Sequence, residues 1–229
     1  MSAKATLEIR RFPSRTELNA ALIQRLEKAI QEGLSNGTAL MLSGGSTPMP
    51  AYRELASRSP RPAAGLHLLF SDDRYVPSTD AASNYHQSLP LLDALALPED
   101  NILRVKTELP LEKAAEDYEK RLDSLLLTGV SFRFGLLGLG ADGHTASLFN
   151  TDDLNRAKGH RAIAVNRPDG LQAVSVTPEV LAHFAELIFI VAGADKHSAV
   201  QSLIHHDPNL TAYQAVASRK HTAVWLADT

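Results

Sequence analysis

The chain has 229 residues, 44% of them hydrophobic and 21% charged, which suits a soluble globular fold with a sizeable core. A formal net charge of −3 excludes a global attraction to nucleic acid or an anionic membrane, so cations that serve an anionic ligand must be local. Cysteine is absent, which excludes disulfides and thiolate metal sites and permits a reducing compartment.

Apolar extended runs alternate with helical segments almost to the end. "MSAKATLEIRRF" has no apolar run of the secretory kind, and no segment approaches a membrane span, so a cytoplasmic location is expected. "TLEIRRF" (6–12) reads as a strand. Ser14 and Glu17 form an S-x-x-E capping box ahead of Leu18, Leu22, Leu26 and Ile30, one apolar helix face, with Gly33 as its stop. "TALMLSGG" (38–45) is a buried strand and "PMPAYRELAS" the helix after it. "LHLLFSDD" (66–73) is a strand ending in charge, and residues 111–127 form a long amphipathic helix. "FRFGLLGLG" (132–140), "RAIAV" (161–165), "LQAVSVT" (171–177), "ELIFIVAG" (186–193) and "TAVWLAD" (222–228) are further strands, with helices at 178–183 and 196–205. The alternation predicts an α/β fold, a mostly parallel sheet covered by helices on both faces. No linker or repeat divides the chain, so a single domain over 1–229 is expected.

In such sheets ligands bind beyond the carboxyl ends of the strands. Four segments put polar or glycine-rich chemistry there: 43–47, 72–74, 138–144 and 193–196. In "SGGSTP" (43–48), Gly44 and Gly45 let backbone amides approach a ligand, and Ser46 and Thr47 add hydroxyls at a helix start where an anion is the natural occupant. The plainer reading is a tight turn capped by Ser46 or Thr47; the Walker pattern and its lysine are missing. In "SDDRYVP" (71–77), Arg74 can grip a carboxylate or phosphate while a neighbouring acid holds its guanidinium, or the cluster is a solvated ion pair. Asn84 in "ASNY" reads as a helix cap.

"GLGADGHTAS" (138–147) fits G-x-G-x-x-G, yet the acid that would bind a ribose is missing from the end of the next strand, which closes on Asn166, Arg167 and Pro168. The alternative uses His144 as a proton carrier, since an unperturbed imidazole titrates near pH 6.5. Asp142 can orient that ring or lie beside it. Lys196, in "VAGADKHSAV", stands at a helix start that favours anions, as a ligand-facing charge or as a surface lysine. His205, His206 and Asp207 suggest no metal site, because adjacent residues do not share a helix face.

Together "LSGGSTP", "SDDRYVP…SNY", "GLGADGHTASLF" and "VAGADK" resemble the 6-phosphogluconolactonases, in the same order, with similar spacing and over nearly the whole chain. The resemblance implies a three-layer α/β/α fold with a doubly wound, mostly parallel sheet, shared with glucosamine-6-phosphate deaminases and ribose-5-phosphate isomerase-like proteins. It also implies a hydrolase with no metal and no cofactor, converting 6-phosphogluconolactone to 6-phosphogluconate in the oxidative pentose phosphate pathway. His144 would then activate water. Arg74 and Lys196 would hold the phosphate or the developing charge, Gly44, Gly45, Ser46 and Thr47 would line the crevice, and Asp72 and Asp142 would be acidic partners. Two positions depart from the family pattern: Asp73 stands where Glu is more usual, and Asn150 where Pro is usual.

The expected partner is a small sugar-phosphate lactone, with no nucleic acid and no membrane; monomer and dimer are both open. An amino-sugar-phosphate isomerase/deaminase is the competing activity, disfavoured because "TASLFNTDD" after His144 lacks the glutamate that resembling deaminases carry. A non-catalytic sugar-phosphate sensor would need the phosphate grip but not the base.

Overall fold

The structure, a computed structural model, describes residues 6–227. Strands β1 (Thr6–Phe12), β10 (His221–Ala227), β9 (Glu186–Ala192), β6 (Ser131–Gly138), β2 (Thr38–Leu42), β3 (Leu66–Phe70) and β5 (Ile102–Leu103) lie side by side in that order, every pair parallel. The apolar character of β10, β9, β6, β2 and β3 follows from burial on both faces, whereas β1 at the edge is largely exposed. In a strand successive side chains point to opposite sides. Leu40, Leu42, Leu136, Ile188 and Ile190 accordingly pack on one face with helices α1 (Arg15–Gln31), α2 (Met49–Ser57) and α3 (Asn84–Leu95). Ala39, Met41, Leu137, Leu187 and Phe189 pack on the other with α4 (Leu111–Leu127), α6 (Pro178–His183), α7 (His197–Ile204) and α8 (Thr211–Val216). The three-layer α/β/α architecture is therefore as expected. No helix among the described residues is long and apolar enough to cross a membrane.

The run 66–73 is not one strand. It breaks at Ser71, and β4 (Asp72–Arg74) leaves the parallel sheet for a second, antiparallel one in the order β4-β8-β7, with β7 (Ala162–Asn166) and β8 (Gln172–Val176). The signal for that hairpin was in the sequence: "RPDG" (167–170) between two short apolar runs is a turn sequence, and the Arg167 N–H donates to Leu171 O at 2.8 Å.

Several local expectations change. Ser14 caps α1 and accepts the Glu17 N–H at 3.2 Å, and the helix closes on an extended Glu32 directly before Gly33, which does not adopt the left-handed cap conformation. Ser83, not Asn84, caps α3. Neither Ser46 nor Thr47 caps α2, whose first turn begins at Pro48 without a side-chain cap bond, so the plainer reading of those hydroxyls fails. The helix at 196–205 begins as a 3₁₀ turn (Ala194–Lys196) before α7. Asn150 caps α5 (Thr151–Arg156) and accepts from the Asp153 N–H at 2.9 Å, a service proline could not supply.

Candidate active site

A crevice of about 260 Å³ opens at the carboxyl ends of β2, β3, β6 and β9, the four strand ends singled out in the sequence. Its walls bring together Gly44, Gly45, Ser46, Thr47, Asp72, Arg74, His144 and Lys196. Asp142 does not line it and reaches it only through His144.

The strand ends are tied to the helices by two buried phenols. Tyr52 Oη donates to Ser43 O at 3.0 Å and accepts the Ser43 N–H at 3.2 Å, fixing the residue that launches the glycine loop. Tyr118 Oη does the same for Phe70 at 2.6 and 3.1 Å, just before Ser71 and Asp72. Burial pushes both phenols up from their ordinary pKa, so they remain neutral and can donate and accept at once.

In the histidine loop, Asp142 Oδ1 lies 2.5 Å from His144 Nδ1 and accepts the His144 N–H at 3.2 Å. A carboxylate only accepts, so Nδ1 carries the proton and the Nε2 lone pair is left for a ligand. Desolvation raises the Asp142 pKa, but the hydrogen bonds from His144 and its charge outweigh it and hold the carboxyl below its ordinary 3.8. The middle glycine of the motif, Gly140, has steric work to do. A β-carbon on Gly140 would stand 2.1 Å from His144 Nδ1 and 2.3 Å from Asp142 Oδ1. The loop is therefore built around the Asp142–His144 pair. The imidazole also leans on Phe149, ring centroids 4.4 Å apart.

Asp72 is 6% exposed and makes no hydrogen bond to His144. Its Oδ1 accepts from Ser71 Oγ at 2.8 Å and its Oδ2 from Ser147 Oγ at 2.7 Å, and Ser147 in turn accepts from Arg167 Nη1 at 3.2 Å. Arg167 is the crevice residue that sequence reasoning missed. Beside Asp169, with which it pairs at 2.7 Å, it reads as a surface ion pair, and only the antiparallel hairpin carries it back to the site.

Arg74 is held, but not by a carboxylate. Its Nη1 donates to Ala82 O and to Asn84 Oδ1, both at 2.9 Å, so its charge is positioned by neutral acceptors and not cancelled by an ion pair. Asn84 also donates from Nδ2 to Asp72 O at 2.8 Å, and its Oδ1 would lie 1.9 Å from a β-carbon on Gly44. One amide thus holds the 72–74 segment at two points and packs against the glycine loop, where only glycine fits at 44. Asp73 underpins them: its oxygens accept from the N–H groups of Arg74, Asn84 and Tyr85 and from Ser83 Oγ. Burial pushes its carboxyl up to about 6, against the pull of the Asn84, Tyr85 and Ser83 donors. Lys196 Nζ lies 3.3 Å from Asp195 at the rim.

A sequence profile of the family described as glucosamine-6-phosphate isomerases/6-phosphogluconolactonase matches residues 13–225. The chain belongs to this family. Among its relatives, a human 6-phosphogluconolactonase is 35% identical over 100% of this chain and 93% of its own length. The crystal structure of 6-phosphogluconolactonase from Thermotoga maritima superposes with a TM-score of 0.82 at 26% identity, covering 97% of this chain and 100% of that one. A monomeric glucosamine-6-phosphate deaminase superposes with a TM-score of 0.78 at 17% identity, over 96% and 97% of the two chains. That last likeness concerns the fold alone, whereas relatives at 31–35% identity are named 6-phosphogluconolactonase.

Proposed function

We propose that the protein hydrolyses 6-phosphogluconolactone to 6-phosphogluconate in the oxidative pentose phosphate pathway, with His144 as the base that activates water. The curated relatives' names support the lactone, and the Asp142–His144 pair at the crevice is the observation that carries the mechanism. Nε2 takes a proton from water as its oxygen adds to the lactone carbonyl, and the imidazolium returns that proton to the ring oxygen as the C–O bond breaks. General acid–base catalysis of this kind contributes roughly 100- to 10,000-fold. Asp142 holds the ring in the tautomer that exposes Nε2 and stabilises the imidazolium between the two steps.

The cations divide the remaining work. Lys196 and the loop Gly44, Gly45, Ser46 and Thr47 receive the phosphate, with hydroxyls that no helix cap consumes. Arg74, held by Asn84, faces the negative charge of the ligand or of the tetrahedral intermediate. Asp72 anchors the wall between Ser71 and Ser147 and is a structural acid, not a second base. The scheme uses water as nucleophile and calls on neither metal nor cofactor. The experiment is a direct assay with freshly generated 6-phosphogluconolactone, corrected for spontaneous hydrolysis, with glucosamine 6-phosphate in parallel. Turnover of the lactone alone is expected; turnover of the amino sugar instead would assign the protein to the deaminase reaction.

A further inference from the structure

The crevice does not end at the glycine loop. A second cavity of about 220 Å³ lies beyond Ser46, Thr47 and Ala192, which line both spaces, and its outer wall is the start of α1. Two polar side chains, Arg15 and Asn19, line that wall.

Arg15 Nη2 donates to Ala192 O at 3.2 Å, and a β-carbon on Gly193 would lie 3.1 Å from the same nitrogen. The guanidinium thus rests on the turn that leads to Lys196, whose N–H donates to Gly193 O at 3.1 Å. Among the described residues Arg15 has no carboxylate partner. It is also the first residue of α1, where positive charge opposes the helix dipole. This exposed cation therefore stands at an unfavourable helix position on the rim of a cavity, with Asp195 across Gly193, where a β-carbon on Gly193 would lie 2.6 Å from Asp195 Oδ1. One turn further, Asn19 Oδ1 is shielded from solvent and has no hydrogen-bond partner, although Asn19 lines the same cavity. A shielded acceptor without a donor is costly unless a ligand supplies one.

One ligand chemistry answers both groups, an anionic oxygen for Arg15 and a hydroxyl for Asn19. The apolar remainder of the wall, Leu18, Leu22 and Pro50, limits the space to a small group. We infer that Arg15 and Asn19 form an outer half of the anion site, Arg15 gripping the phosphate of a phosphorylated sugar alongside Lys196 and Asn19 Oδ1 accepting a hydrogen bond from a hydroxyl of the same ligand. This rests on the sugar-phosphate reading of the crevice and adds to it two specificity-determining residues from α1.

The test uses the full chain and two readouts. Calorimetric titration with inorganic phosphate needs no turnover, and steady-state kinetics with 6-phosphogluconolactone separates KM from kcat. Arg15→Ala should weaken phosphate binding and raise KM about fivefold or more while kcat changes little, and Arg15→Lys should recover part of the loss. Asn19→Ala should raise KM by less. A merely structural role would lower thermal stability without this KM-against-kcat split. Wild-type phosphate affinity and KM in Arg15→Ala would overturn the inference while leaving the lactonase reading standing. A wild type that binds phosphate but does not hydrolyse the lactone would overturn the lactonase reading, and Arg15 would still be judged by titration. A wild type that binds no phosphate would overturn this inference.

Discussion

Asp142 Oδ1 lies 2.5 Å from His144 Nδ1 and also accepts the His144 backbone N–H at 3.2 Å, so one carboxylate oxygen fixes the ring and the backbone that carries it. The pair is local, two residues apart, and it sits over a glycine that leaves it room. Asp142→Asn should keep the fold and KM while lowering kcat on the order of 100-fold, because an amide N–H facing Nδ1 favours the wrong tautomer. Unchanged kcat would show that the carboxylate does not set the ring.

The same pair makes a pH prediction for stability. The Asp142 carboxyl is held below its ordinary 3.8, so its contribution is present above that value and is lost as pH falls through the folded-state value. The stability gap between wild type and Asp142→Asn, read by denaturant titration, should be larger at about pH 6 than at about pH 3. An equal gap at both would contradict the coupling.

Gly140→Ala places a methyl group 2.1 Å from His144 Nδ1, which the ring must leave. Displacement of a catalytic group by about 1 Å can cost on the order of 100-fold in rate. A kcat loss of about 10- to 100-fold with the fold retained is expected. Wild-type kcat would mean that the loop absorbs the methyl group and that the close approach does not matter.

Arg74 and Asn84 should behave as a unit. Lys196→Ala and Arg74→Ala should each weaken binding of the phosphorylated ligand about tenfold, or about 1.4 kcal/mol. Asn84→Ala should reproduce part of the Arg74→Ala loss, and the double variant should fall short of the sum, since the Nη1–Oδ1 bond of 2.9 Å is what couples them. Additive losses would show that Asn84 acts elsewhere, through Asp72 or Gly44.

Much of this was legible in the chain. The inner strands β2, β9 and β10 of the parallel sheet are apolar on both faces, and the helices α4 and α6 carry their bounds in their periodicity, at 111–127 and 178–183. The site loops were found because they combine glycine, hydroxyl and charge at strand ends. What could not be read was cooperation at a distance. Ser147 is 75 residues from Asp72 and becomes its partner only once the chain is folded, with β4 in the second sheet. Arg167 and Asn84 have ordinary local explanations, an ion pair and a cap, and their reach into the site depends on the antiparallel hairpin and on Ser83 taking the cap instead.

The most direct measurement is the rate of 6-phosphogluconolactone hydrolysis by wild type and by His144→Ala, corrected for the spontaneous reaction and accompanied by a circular-dichroism check that both are folded. The expected result is a kcat lower by about 100-fold or more in the folded variant, with ligand binding largely kept. Near-wild-type turnover by folded His144→Ala would contradict His144 as the base.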